Sequence, residues 1–297
     1  MTYAPPARFV LATAVLCLLT AGVATAELRT RLFYGSPILG IANTSPTLVS
    51  QTGPLTDDYY FDDVGPHGSG RLDAESVVEY GVIRARAIGN INAGDFDTFQ
   101  VNLDSGLNGE GSFSDFVTIN AAGRTGTQGK FVARIRVTGS ASATASGEDL
   151  PYASFSQAGW LVTVGPGSQQ LSGTCNAYHG EGPGCAYSGD DFGTHTLAPI
   201  PFIFGSPINL SVALSAGTFL RTVPNGSTSV NLNLFSTLAW MGIQEVTDEG
   251  GTPIASYSLT SDSQTDWALP VPEPGTALGA LASLTTLAIL ARHRPRA

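Results

Sequence analysis

The stretch KFVARIRVT, Lys130 to Thr138, sets Phe131, Ala133, Ile135 and Val137 on one side of an extended chain and Val132, Arg134 and Arg136 on the other. That is the two-residue period of a half-buried β-strand, in which successive side chains leave opposite faces. The pattern recurs. Ile208, Leu210, Val212 and Leu214 alternate with Asn209, Ser211, Ala213 and Ser215, and Val230, Leu232 and Leu234 alternate with Ser229, Asn231 and Asn233. YGVIRARAI, DTFQVNL, SFSDFVTI, FSQAGWLVTV and ASYSLTS are further candidate strands, separated by turn formers such as NAGD, NAAGRTGTQG, VPNGS and DEGGTP. Many strands joined by glycine-rich turns, with no helical segment between them, predict an all-β fold: an antiparallel β-sandwich of jelly-roll-like type. The small-residue run GSASATASG, Gly139 to Gly147, fits either a loop or a strand closely packed by its neighbours.

The ends read differently from the middle. Residues 1–26 have the parts of a secretory signal peptide: Arg8, then the apolar stretch FVLATAVLCLLTAGVA, then a small-residue cleavage site at Ala24-Thr25-Ala26. Residues 27–270 are then one β-sandwich domain. Loss of the signal peptide removes Cys17 and leaves Cys175 and Cys185, enclosing NAYHGEGPG; such a pair in an exported chain reads as a disulfide.

The last segment, 271–297, has three parts in a fixed order: Val271-Pro272-Glu273-Pro274, an apolar run from Ala277 to Ala291, and a basic end with Arg292, Arg294 and Arg296. The prolines break any helix ahead of the apolar run. That run predicts a single C-terminal transmembrane helix of about 22 Å, shorter than the ~30 Å hydrocarbon core. The arginines directly after it would stop translocation and stay cytoplasmic. This arrangement resembles the PEP-CTERM sorting signal of Gram-negative bacteria. The resemblance implies delivery by the Sec machinery, transient inner-membrane anchoring and processing by an exosortase. It further implies residence in the cell envelope or outside the cell, with a link to exopolysaccharide and biofilm matrix. The basic end is interrupted by His293 and Pro295, where the family pattern has consecutive arginines, which bears on processing efficiency.

Charge narrows the partners. Taking Arg8 and the three tail arginines from fourteen basic residues, and Glu273 from twenty-four acids, leaves the domain near −13. Such a surface repels nucleic-acid phosphates and anionic lipid, so no nucleic-acid partner is expected.

Catalytic motifs are missing from the sequence: there is no G-x-S-x-G elbow and no H-E-x-x-H, and a non-catalytic protein is expected. His179, Glu181, Asp190, Asp191 and His195 gather near the cysteines but match no metal-ligand spacing, and a stapled polar loop is the expectation. No cofactor is expected, with calcium the one ion to weigh. DDYYFDDV holds Asp57, Asp58, Asp62 and Asp63. Asp104, Asn108, Gly109 and Asp115 fall at positions 1, 5, 6 and 12 of a calcium-loop template whose third position is Gly106. A carbohydrate-binding module is the alternative reading, using Tyr59, Tyr60, Tyr178, Tyr187 or Trp267, with Trp160 and Trp240 assigned to the core. A secreted hydrolase or lyase would need paired carboxylates in a cleft, which sequence does not single out. Arg84, Arg86, Arg134 and Arg136 would form a basic stripe if their strands were neighbours.

Overall fold

A computed structural model describes residues 25–271 except 37–38, 66–67, 95–102, 148–153, 167–168, 179–184 and 224. The chain runs through β1 (Glu27–Ser36), β2 (Ile41–Thr44), β3 (Leu48–Ser50), β4 (Leu55–Gly65), β5 (Gly68–Glu79), β6 (Val82–Ala93), β7 (Leu103–Asn120) and β8 (Gln128–Ser146). It continues through β9 (Phe155–Gly165), β10 (Gln169–Tyr178), β11 (Ala186–Gly189), β12 (Gly193–Thr196), β13 (Ile200–Ile203), β14 (Pro207–Thr222), β15 (Ser227–Asp248) and β16 (Ser258–Ser261). Among the described residues there is no helix.

Two antiparallel sheets result. The first has the order β11-β10-β9-β14-β7-β1-β2, with β3 also on the edge of β1 and β16 continuing the line of β1 along β7. The second has the order β12-β8-β15-β6-β5-β4, with β13 continuing β12 along β8. They stack face to face: β9 and β10 over β8, β14 over β15 and β6, β7 over β6 and β5, and β1 over β5 and β4. This is an aligned β-sandwich, and the alternation in the sequence supplies its interior. Phe131, Ala133, Ile135 and Val137 of β8 are buried, as are Leu210, Val212 and Leu214 of β14 and Val230, Leu232 and Leu234 of β15. Gly111 of β7 faces inward and lets the sheets close up. A Cβ there would lie 2.7 Å from both Ile83 Cγ2 and Val78 Cγ2.

The run GSASATASG is strand, not loop: β8 continues through it to Ser146. DDYYFDDV is likewise the body of β4, the edge strand of the second sheet.

After β15 the chain returns as a strap that ties the sheets together. β16 hydrogen-bonds to β7 of the first sheet, and Pro270 then forms a bridge to Met241 of β15 in the second. β15 bulges where the strap crosses it. Gly242 takes a φ of 84° at this bulge, and a Cβ on it would sit 2.7 Å from the Ala268 carbonyl oxygen. Only glycine accommodates both the backbone and the approach. Trp267 is sealed beneath the strap, stacked on Phe113 with centroids 5.3 Å apart and edge-on to Trp240 at 5.6 Å. Val271, the last described residue, donates its N–H to the Trp240 carbonyl at 3.0 Å. The sorting-signal residues Pro272, Glu273, Pro274, Arg292, Arg294 and Arg296, the expected C-terminal helix, and Ala24 of the cleavage site lie outside the described residues.

Candidate functional site

Several sequence candidates find other employment. Trp267 is fully buried and is no ligand platform: its Nε1–H donates to Asp115 Oδ2 at 2.6 Å. Asp115, the twelfth position of the calcium template, is fully buried as well, and accepts the Ser263 N–H at 3.1 Å and the Ser263 hydroxyl. The template is not a loop at all. Residues 104–115 are one stretch of β7, so its ends stand about 36 Å apart at the rise of a strand. Twelve residues wrapped round one ion need a tight turn, which an extended strand does not make.

Tyr59 is half-buried and stacks on Tyr34 at 3.6 Å, closing the sandwich between β4 and β1. Tyr187 is 37% exposed, but its hydroxyl accepts from Trp160 Nε1 at 3.1 Å and donates to the Asp190 carbonyl at 2.6 Å. It plugs the open side of the core, where Phe192 stacks on Trp160 at 5.8 Å. Trp160 and Trp240 are buried.

The arginine stripe does not form from neighbouring strands, because β15 lies between β6 and β8. Arg84 pairs with Glu79 at 3.3 Å, and Arg86 bridges Asp73 at 3.1 Å and Glu75 at 3.0 Å. The second sheet's outer face beside β4 is therefore a network of opposite charges. Tyr60, 58% exposed, lies within it, with Arg71 5.1 Å above its ring and its hydroxyl donating to Asp62.

Near the disulfide, Cys175 of β10 is buried and bonded to Cys185, with the two Cα atoms 5.3 Å apart. His179 and Glu181 lie outside the described residues. Asp190 accepts the Ser172 N–H at 2.8 Å, and the His195 ring lies 3.0 Å from the Asp191 carbonyl oxygen. Among the described residues no three His, Cys, Asp or Glu side chains converge as metal ligands.

What remains is the outer face of the first sheet. Strand alternation points Phe155 and Gln157 of β9, Asn176 and Tyr178 of β10, and Phe219 and Arg221 of β14 to the outside together. Register brings them into rows. Tyr178 sits opposite Phe155 and Phe155 opposite Arg221, while Gln157 sits opposite both Asn176 and Phe219. The rings of Tyr178 and Phe155 are 4.7 Å apart and those of Phe155 and Phe219 5.9 Å, with the Arg221 guanidinium 5.5 Å above Phe219. Beside them the Gln157 amide donates to Asn176 Oδ1 at 2.7 Å. Tyr178 is 41% exposed and the others are partly so.

Next to this ladder the face is floored by glycine. Gly159, Gly217 and Gly106 occupy outward positions on adjacent strands β9, β14 and β7, and Gly35 follows on β1. A Cβ at Gly35 or Gly106 would touch nothing closer than a backbone oxygen at 3.7 or 3.4 Å, so packing does not demand glycine there. The result is a low floor between the aromatic ladder and a second group on its far side. In that group Arg31 lies 4.2 Å over Phe33, and Asn108 donates to Glu110 at 3.0 Å while accepting from Ser215 at 3.0 Å. Burial pushes the Glu110 carboxyl above its ordinary pKa, against the lowering effects of Asn108 and Arg31. Sequence reading found Tyr178 but missed Phe155, Phe219 and Arg221. Their phase relative to the buried residues of their own strands was the available signal.

No family model and no curated protein matches the chain. A solved structure from work on the promiscuous specificity of carbohydrate-binding modules of the β-sandwich superfamily aligns with 72% of this chain and 85% of its own. The identity is 12% and the TM-score 0.12, too low to carry an argument.

Proposed function

We propose that this chain is an exported, non-catalytic β-sandwich protein that is sorted through residues 271–297 to the cell envelope or extracellular matrix and binds glycan there. The observation that carries the binding half is the partly exposed ladder of Tyr178, Phe155 and Phe219, flanked by the Gln157–Asn176 amide pair and Arg221. Aromatic faces receive the apolar C–H faces of sugar rings, and side-chain amides offer the donors and acceptors that hydroxyls need. The export half is supported by the signal-peptide pattern, the tripartite tail and the Cys175–Cys185 bond, since disulfides persist in oxidising compartments. In this reading the Sec machinery and an exosortase are the processing partners, and exopolysaccharide is the resident one.

Intact mass and fractionation of the native protein, in host cells with and without the exosortase, test the sorting. The expected product lacks both ends and lies outside the inner membrane, while loss of the exosortase leaves the tail attached. An intact Arg292–Arg296 end held in the inner membrane in both hosts would overturn the sorting reading.

A further inference from the structure

The strap carries a second concave feature, away from the aromatic ladder. Tyr257, Leu259, Thr260, Gln264, Asp266 and Ala268 surround an open depression of about 620 Å³. Tyr257 and Leu259 are half-buried against the core and make its apolar wall. Burial, and after it the charge of Asp266, raise the Tyr257 pKa, so the phenol stays protonated as a donor.

The polar side of the depression is held in place from below. Ser263 and Trp267 are fastened to Asp115, while Gln264 and Asp266 between them are exposed. Gln264 takes a φ of 63°, in the left-handed region that a non-glycine residue adopts at a cost. Its side-chain amide hydrogen-bonds to nothing among the described residues. Asp266 accepts the Ala268 N–H through Oδ1 at 3.0 Å, and its Oδ2 accepts no hydrogen bond among the described residues. An amide and a carboxylate are thus presented on a rigid base beside a tyrosine ring, the arrangement that lowers the ordering cost of binding.

The chemistry of the lining selects the ligand. Among the described residues no Lys or Arg lines the depression, so an anionic group would find there only the Asp266 charge to oppose it. A neutral pyranose matches the lining: an apolar ring face for Tyr257 and Leu259, adjacent hydroxyls for the free oxygen of Asp266, and further hydroxyls for Gln264 and Thr260. We infer that this depression is a separate sugar-binding site, taking a neutral hexopyranose or the end of a neutral oligosaccharide. It goes beyond the sheet-face reading and does not depend on it.

The test is titration of the purified exported protein with neutral methyl glycosides and disaccharides, followed by amide NMR shifts, with tetramethylammonium as a cationic comparator. Gln264→Gly removes the amide and suits the left-handed backbone, so folding is spared. Asp266→Asn keeps an acceptor for Ala268 but loses the charge. We expect saturable binding of at least one glycoside, weakened about tenfold or more by each substitution. The same binding is expected to survive the Phe155→Ala, Tyr178→Ala double substitution, which separates this site from the sheet face. Three results would each overturn the inference: no saturable glycoside binding, saturation by tetramethylammonium alone, or glycoside binding that follows Phe155 and Tyr178 and ignores Gln264 and Asp266.

Discussion

A carboxylate at full burial has to be saturated by donors, and Asp115 takes two from Ser263 and one from Trp267. Asp115→Ala would leave the indole N–H and the Ser263 donors without their acceptor, at a cost of about 3 kcal/mol. Urea unfolding followed by tryptophan fluorescence measures it, and a change below about 1 kcal/mol would show that the latch contributes little. None of this was legible in the sequence, because the donors lie 148 and 152 residues further along the chain. In the calcium template Asp115 was only a ligand candidate to be weighed; in the phase of the candidate strand SFSDFVTI it falls on the same inward side as Phe113 and Val117. Glu110 gives the opposite case. Its folded-state pKa lies above the usual 4.5, so its contribution to stability is complete below that value and is lost as pH rises through the raised one. At pH 7 the carboxylate is therefore a cost. Glu110→Gln is expected to be more stable than the native protein at pH 7, with the gain vanishing below about pH 4. Paired thermal melts across that range would contradict this if the difference did not change with pH.

At the scale of elements, the strong alternators were readable: β8, β14 and β15 bury the residues that their two-residue period marks. Several strands were not read, and for two stretches the physical reason is plain. The end of β8 is built of Ser, Ala and Thr, whose small side chains give no contrast between faces, and β4 is an edge strand studded with aspartates. Charged residues on an edge discourage pairing with another chain, so an acidic cluster and an edge strand share one signature. The disulfide was legible once Cys17 was set aside with the signal-peptide pattern, and it ties β10 to the residue just ahead of β11 across a separation of ten residues. A loop of that size predicts that Cys185→Ser loses about 2.5–3 kcal/mol of stability. Denaturant midpoints with and without reductant check this, and equal midpoints would mean that the bond adds nothing.

Over the whole molecule, the all-β antiparallel fold was readable from the sequence, whereas the aromatic row on the first sheet was not. The candidate face is assembled from strands distant in the chain: Tyr178, Phe155 and Phe219 meet only because β14 inserts beside β9, and β9 beside β10. The second sheet's outer face carries paired charges beside β4, and the ring-on-ring row of Tyr178, Phe155 and Phe219 lies on the outer face of the first. The claim that this face binds glycan is tested most directly by affinity electrophoresis of the purified protein through gels containing neutral and acidic soluble polysaccharides. Retardation by at least one polysaccharide, reduced about tenfold or more in affinity by Tyr178→Ala and by Phe155→Ala, is the expected result. Migration unaffected by every polysaccharide, or retardation that both substitutions leave intact, would contradict it.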